Sequence, residues 1–122
     1  MSNQTIPRDE WPSFCSAFAR RHRGRLVRLD VSGPAGIQHT EAAGALLVDV
    51  AAEIAESHED DVIRIEVAED GESKNLAIRF PLDVQVEETP AGTDAALFVE
   101  AAEQSAILRF RPAFVPEMAD GA

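Results

Sequence analysis

The chain has 122 residues, with 22 Asp or Glu against 11 Lys or Arg, giving a net charge of −11. That balance argues against a general nucleic-acid binder, which needs a basic face, and the lone cysteine, Cys15, leaves no intrachain disulfide to form. The start of the chain has no apolar run of the signal-peptide kind, and no uncharged stretch approaches the ~20 residues of a membrane helix.

A soluble cytoplasmic protein forming one domain over residues 1–122 is therefore expected. A chain of this length buries roughly two thirds of its unfolded surface, enough for one core without staples. The charge is unevenly laid out. Residues 1–36 carry six arginines against three acids, whereas residues 37–122 carry five basic and 19 acidic residues. Ten of the eleven basic residues are Arg, Lys74 being the exception. So acidic and Lys-poor a surface reads either as adaptation to high internal salt or as GC-rich coding.

Residues 9–23 predict a helix. Asp9 is a good N-cap, Glu10 suits the first turn, and Pro12 falls where a missing N–H costs nothing. Trp11, Phe14, Cys15, Phe18 and Ala19 form an apolar stripe at helical spacing. Arg20, Arg21, His22 and Arg23 fill the last turn, and Gly24 ends it. A strand follows at 25–31, whose Val27-Arg28-Leu29-Asp30-Val31 alternates apolar and charged. Residues 32–36 are a turn, and 37–42 read as the returning strand.

Residues 43–58 admit two readings. Leu46, Leu47, Val50, Ala51, Ile54 and Ala55 fit a helical stripe, and propensity leans to a helix over 46–57. Val48, Val50 and Ile54 also alternate as in a strand, and Gly44 weakens a helix start. Further along, 61–69 is a strand, Asp70-Gly71-Glu72-Ser73 a turn, and 75–80 the return. Pro81 marks an edge or a bend. Strands at 82–88, 95–101 and 106–111 follow, the last two as a hairpin. Phe114, Val115 and Met118 in the tail are possible docking residues. The whole predicts an α+β, mainly β fold. An N-terminal helix packs on an antiparallel sheet or small open barrel of five to seven strands.

The run Ile6-Pro7-Arg8-Asp9-Glu10-Trp11-Pro12-Ser13-Phe14 resembles the start of the DUF5335 family, small bacterial and archaeal proteins of unknown function. His22-Arg23-Gly24 resembles it too, as do Leu108-Arg109-Phe110-Arg111-Pro112, Pro116-Glu117-Met118 and Asp120-Gly121. The resemblance spans nearly the whole chain and is sharpest at its two ends. It implies a single domain and brings no activity, cofactor or catalytic residue with it.

The reactive residue types form no constellation. His22, His39 and His58 lie 17 and 19 residues apart, with no HxH or HExxH spacing. His22 reads as a cation at the helix end, and His39 and His58 as solvated. Cys15 shares the apolar stripe and reads as a small buried hydrophobe. Ser13, Ser16 and Ser32 lack a nucleophile elbow. The acidic runs Glu56, Glu59, Asp60, Asp61 and Glu69, Asp70, Glu72 lack calcium-loop spacing and read as solvated loops. Gly33-Pro34-Ala35-Gly36 lacks phosphate-loop spacing.

The one localised charge feature is Arg20, Arg21, Arg23, Arg25 and Arg28. These arginines are a possible contact for an anion or an acidic partner. The plainer reading has them offset the helix dipole and pair with the chain's own carboxylates. No catalytic, cofactor-binding or metal-ligating residue is assigned, and no cofactor, nucleic acid or membrane is expected. The function expected is a non-enzymatic accessory or protein-interaction domain, with a protein or a second copy as partner. One alternative is an enzyme or ligand-binding domain whose site exists only in tertiary structure. Another is an acidic surface that mimics nucleic acid and occupies a basic partner.

Overall fold

A computed structural model describes residues 2–33 and 36–110. Eight strands form one antiparallel sheet: β1 Ser2–Thr5, β2 Leu26–Ser32, β3 Gln38–Glu53, β4 Val62–Glu69, β5 Glu72–Arg79, β6 Pro81–Glu88, β7 Asp94–Ala101 and β8 Ser105–Phe110. One helix, α1, spans Trp11–His22. The strand order is β1-β6-β7-β8-β2-β3-β4-β5. The eighth strand, beyond the seven legible in the sequence, is β1. Its residues are polar and carry no alternation, and only pairing with β6 makes it a strand. The tail residues Phe114, Val115 and Met118 lie outside the described residues.

The sheet rolls upon itself. β5 is one edge, yet Phe80 alone joins it to β6, second from the other edge. Two Cα steps span at most about 7.6 Å, so these distant strands meet at that corner. Phe80 sits in the left-handed region at φ 55°, a cost on the order of 1–2 kcal/mol for a side chain of its size. Its N–H donates to the Asp61 carbonyl at 3.0 Å, and its own carbonyl accepts from Ala102 N–H at 3.1 Å. Its ring meets His58 edge-on, with centroids 5.4 Å apart. These contacts hold the strained corner.

The helix begins two residues later than its sequence suggests. Arg8–Glu10 is a 3₁₀ turn, and the backbone N–H of Trp11 is satisfied by the Arg8 carbonyl. No side-chain cap forms at Glu10, so the expected Asp9 cap is replaced by backbone bonds. Trp11, Cys15, Phe18, Ala19 and His22 face the core. Phe14 packs at its margin, only partly buried, whereas Phe18 is fully enclosed. Gly24 at φ 87° ends the helix as expected. Its N–H reaches the Leu47 carbonyl at 2.8 Å, which ties the helix end to β3.

The helix expected over 46–57 is not formed: 46–53 are the second half of β3, and 54–57 lie in the connection that follows. The inward residues of β3 are Ala42, Ala45, Leu47 and Val50, spaced three, two and three. Register shifts against β2 around 43–44 and against β4 at Val48 insert extra residues and restore the inward phase. A bulged strand thus imitates helical spacing. The Asp70-Gly71 turn joins Glu69 to Glu72 with both central φ positive, 55° and 81°, the two-residue hairpin that Asp-Gly favours.

Candidate functional site

The five arginines singled out in the sequence do not converge. Arg20 bonds Ser16 on its own helix at 3.1 Å. Arg23 donates to the Val48 carbonyl at 2.9 Å, a group exposed by the bulge, and lies 3.8 Å from Asp49. Arg28 faces the opposite surface of the sheet. There it and Arg109, its direct cross-strand neighbour, cover Asp30, which also accepts from Thr40 at 2.8 Å. Burial pushes the Asp30 carboxyl up, but bonds from Thr40 and Arg28 outweigh it and hold the group below its usual range. Only Arg21 and Arg25 share a site.

That site is an open cleft of about 650 Å³ where the helix ends. Arg21 and His22 come from the last turn of α1, and the Gly24 turn brings in Arg25. Glu88 ends β6 and Asp94 begins β7. Between them Gly92 takes φ 86°, and the hydroxyls of Thr89 and Thr93 meet at 2.8 Å. Seven residues, from Arg21 to Asp94, thus face one space.

The geometry assigns the histidine tautomer. Arg25 Nη1 lies 3.2 Å from His22 Nδ1 and has only protons to offer, so Nδ1 presents its lone pair. His22 Nε2 then carries the proton and donates to Asp94 Oδ2 at 2.7 Å. Arg21 Nη2 donates to the same oxygen at 2.9 Å. Burial raises the Asp94 carboxyl, but the bonds from His22 and Arg21 win and leave it below its ordinary value. His22, read in the sequence as a cation at the helix end, is buried. Its ring packs on Phe18 and Phe110, with centroids 4.8 and 4.5 Å away. The Arg25 guanidinium lies over the Phe110 ring, 4.4 Å from its centroid.

The remaining reactive groups serve the scaffold. Asp61, read in the sequence as solvated, is fully buried at the other end of the helix. Arg8 grips both its oxygens, at 2.6 and 2.9 Å, and Ala55 N–H donates at 2.8 Å. The Arg8 bond, above all, holds its carboxyl below the usual range. His58, also expected in solvent, is half-buried between Trp11 and Phe80, and its Nε2 donates to the Pro81 carbonyl at 2.9 Å. His39 is exposed and pairs with Glu41. Cys15 is completely enclosed, and burial pushes its thiol up to about 12. Among the described residues, no three His, Cys, Asp or Glu stand together as a metal site.

Glu88, Asp94 and Phe110 were not legible as site residues. Asp94 follows a Pro-Ala-Gly-Thr loop, and such a position suggests a turn rather than a partner for His22. The one usable signal was His22 itself, which follows the helical stripe of Trp11, Cys15 and Phe18 and so had to turn inward.

The profile of DUF5335, a family of unknown function, matches residues 2–118. No curated protein and no solved structure matches the chain.

Proposed function

The chain belongs to the DUF5335 family, and we propose that it is a non-enzymatic accessory domain that works by binding, with the cleft at the C-terminal end of α1 as its recognition site. Arg25 carries this reading. It is half-buried, stacked on Phe110 and steered by His22, yet it meets no carboxylate among the described residues of a chain with twice as many acids as bases. A guanidinium fixed in this way has lost its rotamer freedom before any ligand arrives.

The rival reading is a catalyst built on the His22–Asp94 pair. In such pairs the carboxylate holds one imidazole nitrogen and the other faces the substrate. Here the second nitrogen faces Arg25, which supports orientation of the arginine rather than proton transfer. A second reading, protein contact, is favoured by one feature of the outer surface. There Leu26 and Leu46 sit opposite each other across β2 and β3, 45% and 44% exposed. A cytoplasmic location without nucleic-acid partners belongs to the same proposal, supported by the lone buried Cys15 and the net charge of −11. No helix among the described residues is long and apolar enough to cross a membrane.

Thermal-shift screening of a small-molecule panel tests the binding proposal, followed by chromatography of every hit. Hits recovered unchanged, with shifts lost in Arg25→Gln, support it. Turnover of a hit, or hits indifferent to Arg25→Gln and Asp94→Asn, overturns it.

A further inference from the structure

We infer that the cleft takes a small zwitterion, a molecule carrying a carboxylate at one end and a cationic nitrogen at the other; this inference rests on the binding reading above. Two of the four charged side chains lining the cleft satisfy each other. Arg21 and Asp94 are paired at 2.9 Å, and His22 adds a second bond to the same carboxylate. The other two are open. Arg25 has the His22 lone pair and the Phe110 face but no acidic partner among the described residues. Glu88 lines the same space, partly buried, and its carboxylate makes no hydrogen bond or ion pair among the described residues.

Those two open groups have opposite sign, and each discriminates. A guanidinium offers a planar fork that matches a carboxylate in two parallel bonds. A simple anion drawn to Arg25 would also meet Glu88, Asp94 and the field of a chain with net charge −11. A simple cation drawn to Glu88 would meet Arg21 and Arg25. A molecule with both charges satisfies both poles and adds no net charge to the cleft. At about 650 Å³ the open cleft accommodates a ligand of amino-acid size or somewhat larger.

The ω-amino acids glycine, β-alanine, 4-aminobutyrate and 6-aminohexanoate form a ruler of increasing charge separation. Calorimetric or NMR titration of the full chain with each, and with propionate and ethylamine as single-charge controls, tests the inference. At least one member should bind about tenfold tighter than either control. Glu88→Gln should bring that member down to the level of propionate, and Arg25→Gln should abolish binding of both. Far-UV circular dichroism and a melting curve for each variant establish that the fold persists. Glu88 stands at a strand end outside the core, so its variant carries the test if Arg25→Gln fails to fold. Propionate binding as well as every zwitterion, or a zwitterion affinity unmoved by Glu88→Gln, overturns the zwitterion inference and leaves a plain anion site. No binding by any member overturns it as well. The binding proposal itself falls only to its own screen, on turnover of a hit or on finding no ligand dependent on Arg25.

Discussion

Replacing Phe18 with alanine should cost far more than the same change at Phe14 on the same helix. The ring is wholly enclosed and touches three other rings, with centroids 5.6 Å from Phe14, 4.8 Å from His22 and 5.6 Å from Phe110. Loss of a buried Phe removes its transfer free energy and leaves a cavity, together about 3–5 kcal/mol. Total stability for a chain of this length is on the order of 6–18 kcal/mol, so the variant loses a large part of it. At about 3–5 °C per kcal/mol for this size, the melting temperature should fall by about 10–20 °C. Phe14→Ala is the internal comparison. Phe14 sits at the margin of the core, so its loss should be about 1–2 kcal/mol. Urea denaturation of both variants gives the two figures. A loss below about 1 kcal/mol for Phe18→Ala, or equal losses for the two, would refute the packing described.

Cys15 should resist thiol reagents in the folded protein and react at once in denaturant, because its thiol is enclosed and its ionisation displaced to about 12; fast stoichiometric labelling of native protein would contradict this. Asp61→Asn should destabilise by about 2–4 kcal/mol at neutral pH, through loss of the Arg8 grip on a buried carboxylate. The folded Asp61 carboxyl is held below its unfolded value, near 3.9. Its contribution is therefore complete above that pH and disappears as acid protonates the folded group, so the gap between wild type and variant should narrow progressively as the pH falls below about 4. A gap that stays constant down to pH 2 would sink the linkage. Fluorescent duplex and single-stranded probes should show no tight binding near ~150 mM salt. Micromolar affinity there, lost on replacing Arg21, Arg23 and Arg25 with Ala, would make the arginines a nucleic-acid site.

The legible parts of the fold were those where local signals agreed. The stripe Trp11, Cys15, Phe18 and the Gly24 stop placed the helix. The alternation Val27, Leu29, Val31 placed β2, and Asp70-Gly71 placed the β4–β5 hairpin. Three features were hidden for physical reasons. β1 has no apolar face of its own, so nothing local distinguishes it from a loop. β3 breaks period two with bulges, and the resulting spacing of Ala42, Ala45, Leu47 and Val50 passes for a helix. Phe80 adopts a backbone conformation that no local rule assigns to a phenylalanine, and it is held there by Asp61 and Ala102 from distant parts of the chain.

The site was legible only in fragment. Its two useful arginines lie within the basic run near the helix end, but that run also contains Arg20, Arg23 and Arg28, which fold away to Ser16, Val48 and Asp30. Nothing local separates the two groups. The separation comes from which carboxylates and carbonyls the sheet brings within reach, and those lie up to 73 residues away, as for Arg21 and Asp94.

The most direct test is a nitrogen-15 NMR titration of the full chain with the ω-amino acid series, reading backbone amides and arginine Nε–H signals together. Shifts are expected at Arg25, His22, Glu88, Thr93 and Asp94, with the Arg25 Nε–H among the most displaced. The far end of the helix, around Arg8, His58 and Asp61, should stay still. Shifts centred on that far end or on the outer face at Arg28 and Arg109 would contradict the assignment of the cleft as the recognition site, and no shift at any ligand concentration would overturn the zwitterion inference.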